Sequence, residues 1–273
     1  MIQTKQLENG FEYLLISNET AHAKIALQGA HLFEYGRHGE EALLWVSECA
    51  VFENNTAIRG GIPICWPWFG MDGGTPQHGF ARTAMWRLIA KNEENSSITL
   101  ELTSSKESKK LWPFDFVLRL HVSVGAQLRL SLETLNTDTK SFQITQALHT
   151  YFNVSSIHDV RIGGLENTPY FDALTQQEGI QNGAVTCNGE IDRIYQNVSW
   201  PLLLEDKKRR IRVDAENSTS CIVWNPWIEK CARMSYMCKE SYKNMICIES
   251  ANARNDAKTV APKERLVLTT TIG

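Results

Sequence analysis

"FVLRLHVSVGAQLRLSLETL", Phe116 to Leu135, decides the fold. Leu118, Leu120, Val122 and Val124 alternate with Arg119, His121 and Ser123. Beyond Gly125-Ala126, Leu128, Leu130 and Leu132 alternate with Arg129, Ser131 and Glu133. A period of two sends successive side chains to opposite faces of a sheet, so each half reads as a strand with one buried and one wetted face. The Gly-Ala between them predicts a hairpin closed by a two-residue type II′ turn.

The same alternation recurs outward from this hairpin, in "FEYLLIS", "AKIALQG", "SITLEL", "CIVWN", "MICIES" and "RLVLTTTI". "FQITQALHTYFNV", Phe142 to Val154, reads as one long strand. Helical signal is confined to "NPWIEKCARMSYM", which has room for one short helix. Many short strands and few helices predict an all-β sandwich or barrel, and no linker or repeat divides residues 1–273, so one domain is expected.

Composition sets further bounds. The 273 residues are 42% hydrophobic with a net charge of -3, without the basic excess of a nucleic-acid binder. The basic run "EDKKRR", Glu205 to Arg210, lies between "WPLLL" and "IRV" and reads as a charged hairpin tip. No apolar run approaches the roughly 20 residues that span a bilayer, and "MIQTKQLENG" lacks a signal peptide's apolar stretch. These features point to a cytoplasmic protein that binds neither membrane nor nucleic acid. Seven cysteines without a close Cys-x-x-Cys pair read as reduced, buried thiols, not as a metal site.

Candidate site residues are scattered along the chain. On the Phe142–Val154 segment, alternation puts His149 and Tyr151 on the face opposite Phe142, Ile144, Leu148 and Phe152. His78 sits in "TPQHGFAR", a loop marked by Pro76 and Gly79, with Arg82 close behind. His121 belongs to the polar face of the hairpin and reads as an ordinary strand histidine. Glu249 interrupts the apolar "MICIESANA", where burial raises a carboxyl pKa toward general-base range. Arg59 precedes Gly60-Gly61, which let a ligand approach the backbone closely, and its planar fork suits phosphate or carboxylate. The tryptophans of "CWPWFG" and "WNPW", Trp224 among them, are suited either to the core or to stacking on a sugar ring. Asp192, in "GEIDRIY", is a weaker carboxylate candidate that also reads as one half of a local Asp–Arg surface pair.

Taken in order, "RGGIPICWPWFG", "PQHGFAR", "LHTYFNV", "DRIY", "VWNPW" and "CIESAN" resemble the glucose-6-phosphate 1-epimerases, the hexose-6-phosphate mutarotases of the aldose 1-epimerase group. The motifs run from Arg59 to Asn252. The resemblance implies a galactose-mutarotase-like β-sandwich holding a sugar phosphate on a concave sheet face. It implies His149 and Glu249 as the catalytic pair and His78 as a second active-site histidine. Arg59 and Arg82 would grip the 6-phosphate, Asp192 would contact sugar hydroxyls, and Trp224 would join the substrate site. The chemistry implied is anomer exchange by ring opening, with no metal or cofactor, in a chain expected to act as a monomer. A carbohydrate-binding protein without catalysis and a mutarotase for unphosphorylated hexoses are the alternatives on this fold. One stretch departs from the family pattern: after "WNPWIEK", residues 231–244 read "CARMSYMCKESYKN", where relatives carry an acidic loop.

Overall fold

The computed structural model describes residues 1–273. Two antiparallel sheets of eight strands dominate it. The first, here the pocket sheet, runs in the order Gln177–Ile180, Pro169–Asp172, Ile191–Gln196, Ser220–Asn225, Met245–Asn252, Gln146–Leu148 and Ile64–Cys65, with Tyr151–Asn153 also paired to Met245–Asn252. The second, the backing sheet, runs Arg161–Gly163, Leu202–Glu205, Arg210–Glu216, Arg265–Ile272, Leu128–Asn136, Phe116–Val124, Ser97–Thr103 and Arg87–Asn92. Four N-terminal strands between Ile2 and Arg37 form a smaller sheet in sequence order. The only α-helices are Lys106–Leu111 and Trp227–Arg233, the latter inside the segment where the sequence leaves room for one.

The alternating hairpin sits mid-way across the backing sheet. Leu118, Leu120, Leu128, Leu130 and Leu132 are fully buried and join a cluster of 66 buried residues. Burial of each such side chain contributes about 1.5–3 kcal/mol. On the other face Arg119 bridges Glu101 and Glu133, and His121 bonds Thr99 Oγ1. The two sheets meet through Ser250 Oγ and Thr270 Oγ1 at 3.0 Å and through Trp66 Nε1 and Thr134 Oγ1 at 3.0 Å. Ser250 therefore faces the core, and its neighbour Glu249 faces the opposite way. The "EDKKRR" run forms the tip between Leu202–Glu205 and Arg210–Glu216, as its flanks predict.

Three expectations need correction. The hairpin turn has three residues, because Val124 pairs with Leu128 and leaves Gly125, Ala126 and Gln127 outside the ladder. Gly125 does not adopt the positive φ that a type II′ turn requires. The wider turn is held from outside: Asn18 Nδ2 donates to the Val124 carbonyl and the Tyr35 hydroxyl to that of Gly125. The Phe142–Val154 segment is three strands, Phe142–Ile144, Gln146–Leu148 and Tyr151–Asn153, broken at Thr145 and at His149-Thr150. Thr145 Oγ1 accepts from the Phe69 amide, and the Thr150 amide turns back to the Leu148 carbonyl at 3.0 Å, kinking the chain at His149. Finally, Cys49 and Cys238 form a disulfide, so five thiols and not seven are free. Their separation of 189 residues hides the pairing from any reading of local spacing.

Gly60 and Gly61 also work differently from expectation. Gly60 has φ +117° and Gly61 φ +65°. A Cβ on Gly60 would lie 2.5 Å from the Trp45 carbonyl oxygen, and one on Gly61 2.4 Å from that of Leu32. The pair lets two backbones cross beneath the site; it does not open the backbone to a ligand. His31, fully buried, props this crossing by bonding the Gly60 carbonyl through Nε2 at 2.8 Å. Gly60→Ala is expected to cost more than about 2 kcal/mol of unfolding free energy, measured by urea titration, because both φ and space forbid the new methyl.

Candidate active site

The pocket sheet's register builds the site. Leu148 pairs with Ser250 and Tyr151 with Cys247, and the frame is unbroken across the kink, so His149 lies directly opposite Glu249. The Ile248 amide donates to the Thr150 carbonyl at 3.2 Å and holds that frame. One row of side chains then runs Glu249, Ile222, Ile194, Phe171; the next runs Tyr151, Cys247, Trp224, Asp192. Rim segments around Met71, Gln77, Gln176 and Met234 enclose these rows in a cavity of about 860 Å³. All seven residues singled out from the sequence line it: His149, Glu249, Arg59, His78, Arg82, Asp192 and Trp224.

His149 Nε2 lies 3.3 Å from Glu249 Oε1. Glu249 is 1% exposed, and burial, helped by the charge of Asp192, holds its carboxyl well above the ordinary glutamate range. Burial, then His78, Arg82 and Arg59, hold His149 well below the ordinary histidine value. Burial thus favours the neutral form of each group, although the two stand at ion-pair distance. Glu249 Oε2 and His149 Nδ1 are buried without a hydrogen-bond partner in the protein, and so is Arg59 Nε.

His78 is held more tightly than a loop histidine needs to be. Its φ is +63°, its amide donates to the Gly70 carbonyl at 2.6 Å, and its Nδ1 accepts from the Gly70 amide at 3.1 Å. Nδ1 being an acceptor, the ring proton sits on Nε2. Burial and the nearby arginines push its pKa down to about 3, so it remains a neutral N–H donor. The His78 and His149 rings meet edge to face at 5.7 Å. Strained backbone of this kind concentrates at functional sites.

The remaining candidates separate. Arg82 Nη2 donates to the Gln77 carbonyl at 2.7 Å. Asp192 pairs with Lys230, not with Arg193, which points to the other face and meets Asp172. Burial raises the Asp192 carboxyl, and Lys230 partly offsets this. Trp224 lies edge-on to His149 at 6.1 Å. Of the other tryptophans, Trp66 and Trp68 are core, packed around Phe80. Trp227, in the same motif as Trp224, packs against Tyr242. Lys230, Arg254 and Phe171 also line the cavity, with the Arg254 guanidinium 3.8 Å above the Phe171 ring. The sequence did not single these out. Lys230 stands inside the quoted "WNPWIEK", but Phe171 lies in a four-residue strand, half-buried throughout, whose "PYFD" shows no alternation. The departing stretch 231–244 supplies Met234 and Ser235 to the rim and is tied down by the disulfide at Cys238. No three His, Cys, Asp or Glu side chains are arranged to hold a metal ion.

The all-β fold is shared with solved galactose-mutarotase-like structures, one from Lactobacillus casei superposing with TM-score 0.76 at 18% identity over 95% of this chain and 99% of that one. A crystal structure from Salmonella typhimurium, described as a "putative mutarotase", superposes with TM-score 0.92 and 33% identity, over 99% of this chain and 92% of that one. The family model described as "Aldose 1-epimerase" matches residues 12–273, and the chain belongs to that family. A protein of Escherichia coli (strain K12) is 36% identical over 260 residues, 92% of this chain and 87% of its own. A protein of Cenchrus ciliaris is 37% identical over 244 residues, 84% of this chain and 74% of its own. Both bear the name "Putative glucose-6-phosphate 1-epimerase".

The buried carboxyl also has a stability signature. A carboxyl whose pKa is raised on folding is held protonated by the folded state, so its contribution is full below about 4.5 and is lost as pH rises. Glu249→Gln removes that loss. The variant is expected to be more stable than the wild type at neutral pH, the gap widening by at most about 1.4 kcal/mol per pH unit above the ordinary glutamate value. Urea unfolding from pH 5 to 8 checks this; a constant gap refutes it.

Proposed function

We propose that the protein interconverts the α and β anomers of a hexose 6-phosphate, glucose 6-phosphate being the substrate its relatives' name carries. The observation that carries the reading is the His149–Glu249 contact at 3.3 Å between two buried groups, in a cavity that both line together with Arg59 and Arg82. O1 and O5 of the sugar are bonded to the same carbon, so two protein groups in contact with each other can reach both.

In the ring-opening step Glu249, as carboxylate, takes the O1 proton. The C1–O1 bond gains double-bond character, the C1–O5 bond breaks, and His149, as imidazolium, delivers a proton to O5. Rotation about C1–C2 presents the other face of the aldehyde. O5 then attacks C1, His149 recovers its proton and Glu249 returns one to O1. The neutral pair favoured by burial is the protonation state that accompanies the open-chain aldehyde. The charged pair that starts the cycle has the same number of protons, so one transfer within the dyad connects them.

The phosphate anchor has a part in that transfer. Arg59 and Arg82 are among the charges that depress His149. A phosphate dianion between them offsets their field, and the imidazolium becomes easier to form. His78, a fixed neutral donor, steadies an oxygen near the reacting carbon, and Asp192 accepts from a sugar hydroxyl. The charge of a hexose phosphate keeps it from crossing membranes, which supports a cytoplasmic setting.

Glu249→Gln is expected to bind sugar phosphate nearly as the wild type does but to slow exchange by about 10² or more, followed by NMR of the anomeric protons. Near-wild-type exchange overturns the base assignment. Arg59→Ala is expected to raise KM for the hexose 6-phosphate by about tenfold or more while leaving that for free hexose within about twofold. Equal losses on both sugars remove Arg59 from the phosphate site.

A further inference from the structure

Tyr151 takes no step in the scheme above, yet it touches both ends of it. Its ring stacks on His149 with centroids 4.7 Å apart and planes 7° apart. Trp45 stacks on Tyr151 in turn, at 5.8 Å and 22°, and Trp224 closes the edge at 6.0 Å. The hydroxyl lies 3.5 Å from Arg59 Nη1, and it is the one hydrogen-bond partner the Arg59 side chain has in the protein. Tyr151 is 2% exposed and lines the cavity, where burial keeps it a phenol.

These contacts divide the labour of one side chain. His149 Nε2 lies 3.3 Å from Glu249 Oε1 and its Nδ1 has no partner, so polar contacts alone leave the tilt of the imidazole plane open. The parallel phenol face, backed by Trp45, supplies the missing constraint. At the other end, an arginine with no carboxylate partner needs something to aim its fork, and the phenol oxygen accepts its Nη1–H. We propose that Tyr151 is a positioning residue that couples the phosphate anchor to the acid, its ring setting the plane of His149 and its hydroxyl the direction of Arg59. This rests on the reading that Arg59 binds the phosphate and His149 serves O5.

The two halves come apart by mutation. Tyr151→Phe keeps the stack and loses the hydroxyl; KM for the hexose 6-phosphate is expected to rise about fivefold, several times more than KM for free hexose changes, with the effect on KM exceeding that on kcat. Tyr151→Leu loses the stack as well, and kcat is expected to fall about tenfold or more on both sugars. Rates are taken per folded molecule, from anomer exchange by NMR alongside thermal unfolding. A purely structural role for Tyr151 lowers the folded fraction and leaves both the preference for the phosphorylated sugar and kcat per folded molecule in place; that result overturns the proposal. Should Tyr151→Leu not fold, Tyr151→Phe decides alone, since a wild-type KM for the phosphorylated sugar contradicts the coupling. A wild-type protein that does not prefer the phosphorylated sugar removes the anchor reading and this proposal together, whereas an intact preference with an unaltered Tyr151→Phe removes only the proposal.

Discussion

The cross-strand frame between Met245–Asn252 and the kinked segment around His149 is the constraint on which the site depends. Side chains in a sheet alternate, so a slip of one residue would turn Glu249 into the core and Ser250 into the cavity. The frame is secured on both flanks. Ser218 and Ser220 hydroxyls bond the Ala251 carbonyl, and Asn225 Nδ2 bonds the carbonyls of Tyr242 and Met245. On the far side the His149 amide is held by the Pro63 carbonyl and that of Tyr151 by Gly61. The glycine crossing at Gly60-Gly61 thus supports the dyad indirectly, by letting the Ile62–Cys65 segment come close enough to pair.

The electrostatics follow from this placement. A carboxyl at the centre of an eight-stranded sheet loses nearly all its water, and the imidazole opposite loses most of its own. Each is driven toward its neutral form. A lone charge there would be costly, but moving one proton between two touching groups changes neither net charge nor solvent access. The proposed ring opening needs that kind of step, because it shifts protons between O1 and O5 without a net gain or loss. The charges of Arg82 and Arg59 bias the same equilibrium by disfavouring the imidazolium.

Much of the fold was legible because two-residue periodicity is local. The leucine rows of Phe116–Asn136 and the apolar Met245–Ile248 announce themselves in any short window. The strands Pro169–Asp172 and Gln177–Ile180 do not, since they form a half-covered sheet edge with no buried residue among them. The site was legible as an ordered set of motifs, and the desolvation of Glu249 followed from its apolar neighbours. The contact between His149 and Glu249, the Lys230–Asp192 pair and the Arg59–Tyr151 contact were not legible. They are products of register and of chain segments that lie far apart in sequence, as is the Cys49–Cys238 bridge. The Gly60-Gly61 pair shows the limit most plainly: the sequence marks an unusual backbone but not which neighbour demands it.

The cavity's floor and its rim are built differently. The floor is mostly strand, with Glu249, Ile222, Trp224 and Tyr151 in hydrogen-bonded ladders and His149 at the kink between two of them. Much of the rim, around Met71, Gln77, Gln176, Met234 and Ser235, lies between strands and faces solvent in part. Substitutions there leave the dyad's geometry alone, so divergence in what the pocket admits can accumulate while the chemistry at C1 stays fixed. A scaffold divided in this way is free to acquire new sugar preferences gradually, with no unfolded or inactive form between one preference and the next.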